Sequence, residues 1–284
     1  MLMYGDNLRD YLGGDRYPIT IHFMWYDMHD PNCTTYSIKY KKYIDSWKKY
    51  NPNCIYKFWY NREIENLWTL APEKYINQYN KMRHIEKCDF TRYWILYLFG
   101  GVYVDLNTMC YKDIRPLVFD KNNTPRKLGL AFEPSEHFSM SGYGSLITNS
   151  FLVSQPHNPF WIQFMDYICE NYWPSNDTIE FVLINTGPAA LARFTLKYYN
   201  DQLDDIMIDT CLVQKFINKS RGNNVSTRGC EDIEPYISKH WKDTAGWGVQ
   251  HKNKKYIFWI MLILFILLGL FFFYQSYHQS YHQS

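Results

Sequence analysis

A chain of 284 residues with 46% hydrophobic and 20% charged side chains can bury a sizeable core and is not a disordered acidic or basic polymer. Its 30 basic and 28 acidic residues leave a formal net charge of +2, which excludes a dedicated nucleic-acid binder. Even that excess is local. Lys252, Lys254 and Lys255 follow His251 with no Asp or Glu after them, so residues 1–250 carry 27 basic and 28 acidic side chains.

The first twenty residues hold charges and glycines but no apolar h-region, so no signal peptide is expected. Ile19 to Trp25 is a β-branched and aromatic run that predicts a buried first strand, broken at Asp30-Pro31-Asn32. Between Ser37 and Tyr50, Tyr40, Tyr43, Ile44 and Trp47 recur at helical spacing, with Lys41, Lys42, Asp45, Lys48 and Lys49 on other faces. Those lysines read as a solvated helix face. Asn51-Pro52-Asn53 ends the helix, and Cys54 to Tyr60 predicts a second strand. A helix over 82–99 stops at Gly100-Gly101, and a strand over 102–106 follows at once. An apolar stretch at 128–132, a strand or turn at 145–153, and helices over 159–172 and 189–199 complete the pattern. Strands alternating with helices predict an α/β domain with a mixed, mostly parallel central sheet.

The chemistry concentrates between Cys88 and Asn107. Asp89 and Arg92 are i,i+3 neighbours on the predicted helix and can form an ion pair. On the predicted strand, Tyr103, Asp105 and Asn107 alternate onto one side. An oxygen pair at a strand's carboxyl end suits a hard divalent cation bridging a diphosphate. From residue chemistry alone, Asp-x-Asn is equally compatible with a turn.

These residues and their neighbours resemble the glycosyltransferases of family 32 and related sugar-transferring bacterial toxins. The resemblance rests on Cys88-Asp89-Phe90-Thr91-Arg92 followed by Gly100-Gly101-Val102-Tyr103-Val104-Asp105-Leu106-Asn107. Ile21 to Trp25, Asp45 to Trp59, Asn149 to Pro159, Thr186-Gly187-Pro188 and His240 to Trp247 are similar to further blocks in the same order. The resemblance implies a GT-A type nucleotide-sugar-binding fold and retaining transfer of a hexose to a glycan, glycolipid or protein. It implies donor-binding roles for Trp25, Asp89, Arg92, Tyr103, Asn149 and Trp247. Asp105, Asn107 and His240 would serve catalysis and hold Mn²⁺ or Mg²⁺. Asn107 departs from the pattern, because that position is normally the main carboxylate ligand. An amide oxygen can coordinate the cation without supplying charge, so weaker metal affinity is expected. A catalytically weak or inactive GT-A-fold membrane protein that binds nucleotide-sugar or a partner is the competing expectation.

From Tyr256 to Tyr274 nineteen residues pass without a charge, about 28 Å of helix and close to the thickness of a bilayer core. Tyr256, Trp259 and Tyr274 suit the interfacial belts. The expected organisation is a transferase domain over 1–250, a basic juxtamembrane segment over 251–255, a transmembrane helix over 256–274 and a low-complexity tail over 275–284. Lysines on the N-terminal flank and an uncharged tail place the large domain in the cytosol by the positive-inside rule. Five glycosylation sequons, at Asn32, Asn122, Asn176, Asn218 and Asn224, would then be silent. The seven scattered cysteines form no Cys-x-x-Cys pair and read as reduced.

Overall fold

The computed structural model describes residues 18–133, 144–174, 179–213 and 235–239. All belong to the first of two units, Met1–His240; the second, Trp241–Ser284, contains none of them. Among the described residues no helix is long and apolar enough to cross a membrane. The predicted span over 256–274 lies outside them, as do His240 and Trp247.

Five strands form the main sheet in the order β2-β1-β3-β6-β5: β1 (Thr20–Met24), β2 (Ile55–Trp59), β3 (Gly101–Val104), β5 (Leu128–Gly129) and β6 (Phe151–Ser154). β1 pairs in parallel with β2 and β3, while β6 runs antiparallel to both β3 and β5. Four strands therefore point one way and one is reversed, a mixed sheet as expected, with two parallel and two antiparallel pairings. A second, two-stranded antiparallel sheet joins β4 (Thr108–Cys110) to β7 (Ile237–Lys239).

Side-chain alternation sorts the core into two layers. Ile21, Phe23, Val102, Val104, Phe151 and Val153 face one layer, closed by Tyr43, Ile44 and Trp47 of α1 (Lys41–Tyr50). Met24, Tyr103 and Leu152 face the other. That second layer is built from α4 (His84–Phe99), α6 (Pro159–Asn171) and α8 (Pro188–Tyr198), through Phe90, Tyr93, Trp94, Trp161, Phe164 and Phe194. The sheet is thus covered on both faces, as parallel pairing requires.

Several elements went unread in the sequence. α2 (Asn61–Trp68) and α3 (Glu73–Lys81) are short and polar, with a single turn or two of apolar contacts: Ile64, Leu67 and Trp68 on one, Tyr75 and Tyr79 on the other. α5 (Arg115–Val118), α7 (Ile179–Asn185), α9 (Leu203–Ile206) and α10 (Thr210–Val213) are shorter still. Such segments fold because the surrounding core holds them, so little periodicity marks them.

Two sequence expectations are corrected. The strand predicted over 102–106 ends at Val104, and Asp105–Asn107 forms a turn closed by the Thr108 N–H donating to the Asp105 carbonyl at 3.0 Å. Not all cysteines are reduced: Cys33, Cys54, Cys88, Cys110 and Cys169 are free, but Cys211 is disulfide-bonded.

Candidate active site

Because β1, β2 and β3 run parallel, their carboxyl ends emerge at one edge of the sheet. In open α/β sheets this edge is where ligands bind. Trp25 directly follows β1 there, half-buried, with its ring 5.4 Å from that of Tyr40. Asp105 directly follows β3.

The reversal at Gly100-Gly101 brings α4 back over β3. Gly100 and Gly101 have φ of +60° and +83°, and a Cβ on either would meet backbone at 2.5 Å, Pro156 N in one case and the Thr20 carbonyl in the other. Only glycine allows that approach. His22 of β1 latches the reversal. The Trp59 indole N–H can only donate, so His22 Nδ1 accepts at 3.2 Å and Nε2–H donates to the Gly100 carbonyl at 3.0 Å. Burial, with Lys57 nearby, holds the His22 pKa down at about 4, and the ring is neutral.

The reversal sets Arg92 of α4 over the Tyr103 ring at 4.7 Å. Its Nη2 pairs with Asp89 Oδ1 at 2.8 Å. Its Nη1 donates to Asp105 Oδ1 at 3.1 Å and to the Asn149 carbonyl at 2.6 Å. Tyr103 Oη–H donates to the same Asp105 oxygen at 3.2 Å. Asp89 is satisfied further by Asn149 Nδ2 at 3.0 Å and the Thr186 hydroxyl at 3.0 Å. Tyr93 Oη–H donates to the Thr186 carbonyl at 2.6 Å, tying α7's exit to α4. Burial would lower the Arg92 pKa, but Tyr103, Asp105 and Asp89 around it raise it, so the guanidinium stays charged. Burial drives the Tyr103 phenol far above its ordinary value.

Exposure separates these residues. Asp89 and Arg92 are only 4% and 5% exposed, whereas the Asp105 side chain is 19% exposed. Asp89 and Arg92 are therefore enclosed, and Asp105 is the more exposed of the two carboxylates. Asn107 lies two residues on in the turn, 5% exposed. From the other face of the sheet, Trp47 Nε1–H donates to the Thr108 carbonyl at 2.8 Å and Ser46 Oγ accepts from Cys110 N–H at 3.0 Å. The turn is thus held from both layers. Trp47, Tyr93 and Thr186 were not singled out as site residues. Helical spacing marks Trp47 only as a core residue, and each of the three joins the cluster or its turn only through tertiary contact.

Among the described residues no group of three or more His, Cys, Asp or Glu could hold a metal ion. One carboxylate, already engaged by Arg92, beside a neutral amide fits a cation that arrives with its own anionic ligand. Among the described residues, this pair of oxygens alone offers a cation little charge.

Residues 37–125 match the family described as a glycosyltransferase sugar-binding region containing the DXD motif. The chain is 26% identical over 196 residues to an uncharacterized glycosyltransferase of Acanthamoeba polyphaga mimivirus, covering 67% of this chain and 70% of that one. It is 25% identical over 195 residues to inositol phosphoceramide mannosyltransferase 1 of Schizosaccharomyces pombe, covering 65% of this chain and 53% of the relative. The second such mannosyltransferase is 23% identical over 209 residues, so this chain spans about half the length of the two Schizosaccharomyces pombe relatives. Among solved structures, the PaToxG glycosyltransferase aligns over 64% of this chain and 70% of that one, with TM-score 0.49 and 18% identity. The chain is thus similar to the DXD-containing sugar transferases over the residues that match.

Proposed function

We propose that this chain is a membrane-anchored glycosyltransferase of GT-A type that moves a hexose from a nucleotide-sugar to a glycan, glycolipid or protein acceptor with retention of configuration. The observation that carries this reading is the Asp89–Arg92–Asp105 cluster at the carboxyl edge of three parallel strands, inside the residues that match the sugar-binding region. In this assignment Trp25 stacks on the donor base and Asn149 borders the sugar. Asp105 faces the ribose and diphosphate. Asp89 and Arg92 act as positioning residues, since their charged atoms are engaged with one another, with Asp105 and with the Asn149 backbone. Tyr103 completes that support. A bound Mn²⁺ or Mg²⁺ supplies charge neutralisation for the departing diphosphate. His240 and Trp247 retain the metal-side and donor-closing roles that the resemblance implies.

Mannose is the first donor sugar to test, because two relatives are mannosyltransferases that act on inositol phosphoceramide. A membrane-borne acceptor suits the charge-free run over 256–274, which would hold the site near lipid and raise the acceptor's effective concentration. Asn107 favours one competing reading, a nucleotide-sugar-binding membrane protein with little turnover. Donor hydrolysis by the detergent-purified chain separates the two, using GDP-mannose, UDP-glucose and UDP-galactose with Mn²⁺. Turnover abolished by Asp105→Ala supports the transferase. Binding of a donor without turnover of any supports the alternative.

A further inference from the structure

We infer that Asn185, braced by the buried carboxylate of Glu86, is a positioning residue that sets Thr186 and, through it, the Asp89–Arg92 pair. The inference rests on the sugar-transferase reading above and deepens it.

The ground is a register between two helices. Asn185 ends α7, and Thr186 follows it directly. Glu86 and Asp89 are i,i+3 neighbours on α4 and share one face of that helix. Asn185 Nδ2 donates to Glu86 Oε1 at 3.1 Å, and the Thr186 hydroxyl donates to Asp89 Oδ2 at 3.0 Å. Two consecutive residues thus address two carboxylates of one helix. Their Cα atoms are fixed about 3.8 Å apart, so a slip that breaks the first bond carries the second donor with it.

Glu86 is a fixed point for this register. It is fully buried, and its Oε2 accepts from the Arg83 backbone N–H and Nε–H, each at 3.1 Å, and from Tyr172 Oη–H at 2.9 Å. Its Oε1 accepts from Arg83 Nη2 at 2.9 Å besides Asn185. Burial would raise its pKa, but these donors together hold it below the ordinary carboxylate value, so Glu86 is ionised. The orientation of the buried Asn185 amide is then dictated. Its Oδ1 accepts from the Trp173 N–H at 3.1 Å, which leaves Nδ2 to donate to the Trp173 carbonyl at 2.9 Å and to Glu86. A helix as short as α7 takes its place from such contacts rather than from its own propensity. The chain then runs directly from this node to the donor on Asp89, whose partner Arg92 reaches Asp105 at 3.1 Å.

The test measures GDP and UDP affinity, with Mn²⁺ present, by isothermal titration calorimetry of the full chain in detergent. Wild type, Asn185→Ala, Thr186→Val and the double variant form a cycle. Each single substitution should weaken the nucleotide that the site accepts by about tenfold. The double variant should also lose about tenfold, because Asn185 acts through Thr186. Independent contributions would multiply to about 100-fold and overturn the inference, as would wild-type affinity in a folded Asn185→Ala chain. Tyr172→Phe removes a bond to Glu86 but leaves Asn185 in place, so it should lower the urea midpoint without changing nucleotide affinity. A tenfold loss of affinity in that variant overturns the inference, since any loosening of Glu86 would then suffice. Asn185→Asp serves where Asn185→Ala does not fold. It keeps the acceptor for the Trp173 N–H and sets a second carboxyl against Glu86, which donates when protonated and repels when ionised. Its nucleotide affinity relative to wild type should therefore fall as pH rises from about 5 to about 8, and a pH-independent ratio overturns the inference. If neither nucleotide binds the wild type, the sugar-transferase reading itself fails, and the inference falls with it.

Discussion

Arg92 illustrates how much a single residue can organise. Its i,i+3 relation to Asp89 is legible in the sequence, but its contacts with Asp105 and the Asn149 carbonyl exist only because Gly100-Gly101 folds the strand back under the helix. Arg92→Met leaves Asp89 buried without its cation, a change that costs about 3–5 kcal/mol. Urea denaturation monitored by circular dichroism should register it as a large fall in midpoint. Thr186→Val removes one hydroxyl donor from the same carboxylate and should cost about 1.5–3 kcal/mol by the same measurement, with Thr186→Ser restoring most of it. His22 makes stability depend on pH. Its pKa falls from 6.5 in the unfolded chain to about 4 on folding, so its contribution is complete above pH 6.5. That contribution is lost as pH drops from 6.5 towards 4, amounting to on the order of 3 kcal/mol when complete. His22→Gln should flatten that part of the stability–pH curve. A profile identical to wild type between pH 4 and 6.5 would refute the neutral latch.

At the scale of elements, the long ones were readable because burial imposes a period. α1 carries Tyr43, Ile44 and Trp47 on one face, and β1 and β3 are near-continuous apolar runs covered on both sides. α4 was readable by its length and its Gly-Gly stop, although it buries Glu86, Asp89 and Arg92 among its apolar residues and so has no sharp stripe. α2 and α3 escaped because short helices depend on the core they pack against. The end of β3 was misplaced for a related reason. The alternation of Tyr103, Asp105 and Asn107 continues in the sequence, but the Thr108-to-Asp105 hydrogen bond and the Trp47 anchor turn the chain before it can extend further. The junction between α4 and β3 should tolerate no side chain. Gly101→Ala places a methyl 2.5 Å from the Thr20 carbonyl at φ +83° and should cost more than about 1 kcal/mol. On the proposed function it should also weaken nucleotide binding, because Asp105 directly follows β3. By contrast, Asn158→Ala removes the cap of α6, where Asn158 Oδ1 accepts from Phe160 N–H at 3.0 Å, and should cost about 1 kcal/mol without altering nucleotide affinity.

For the molecule as a whole, the proposed membrane anchor raises the question of which side of the membrane the domain faces. Lys252, Lys254 and Lys255 before the charge-free run argue for the cytosol, while the disulfide at Cys211 belongs to oxidising compartments. Asn32 and Asn122 are exposed, so their sequons are usable reporters. With the lysines deciding, both should stay unglycosylated in microsomes and the large domain should be open to added protease. Glycan at Asn122 would reverse the orientation and agree with the disulfide. The sequence by itself determined the α/β class, the charge-free run, the near-neutral domain and the blocks that relate the chain to DXD sugar transferases. These are properties of residue order, periodicity and charge, which need no contacts to be read. Only the tertiary structure decided that Asp89 and Arg92 are enclosed while Asp105 is partly exposed, that Thr186 and Tyr93 bond to this cluster and its neighbours, and that Trp47 anchors the turn after β3. The physical reason is that exposure and pairing depend on which segments the sheet brings together, and Thr186 is 97 residues from the Asp89 it satisfies.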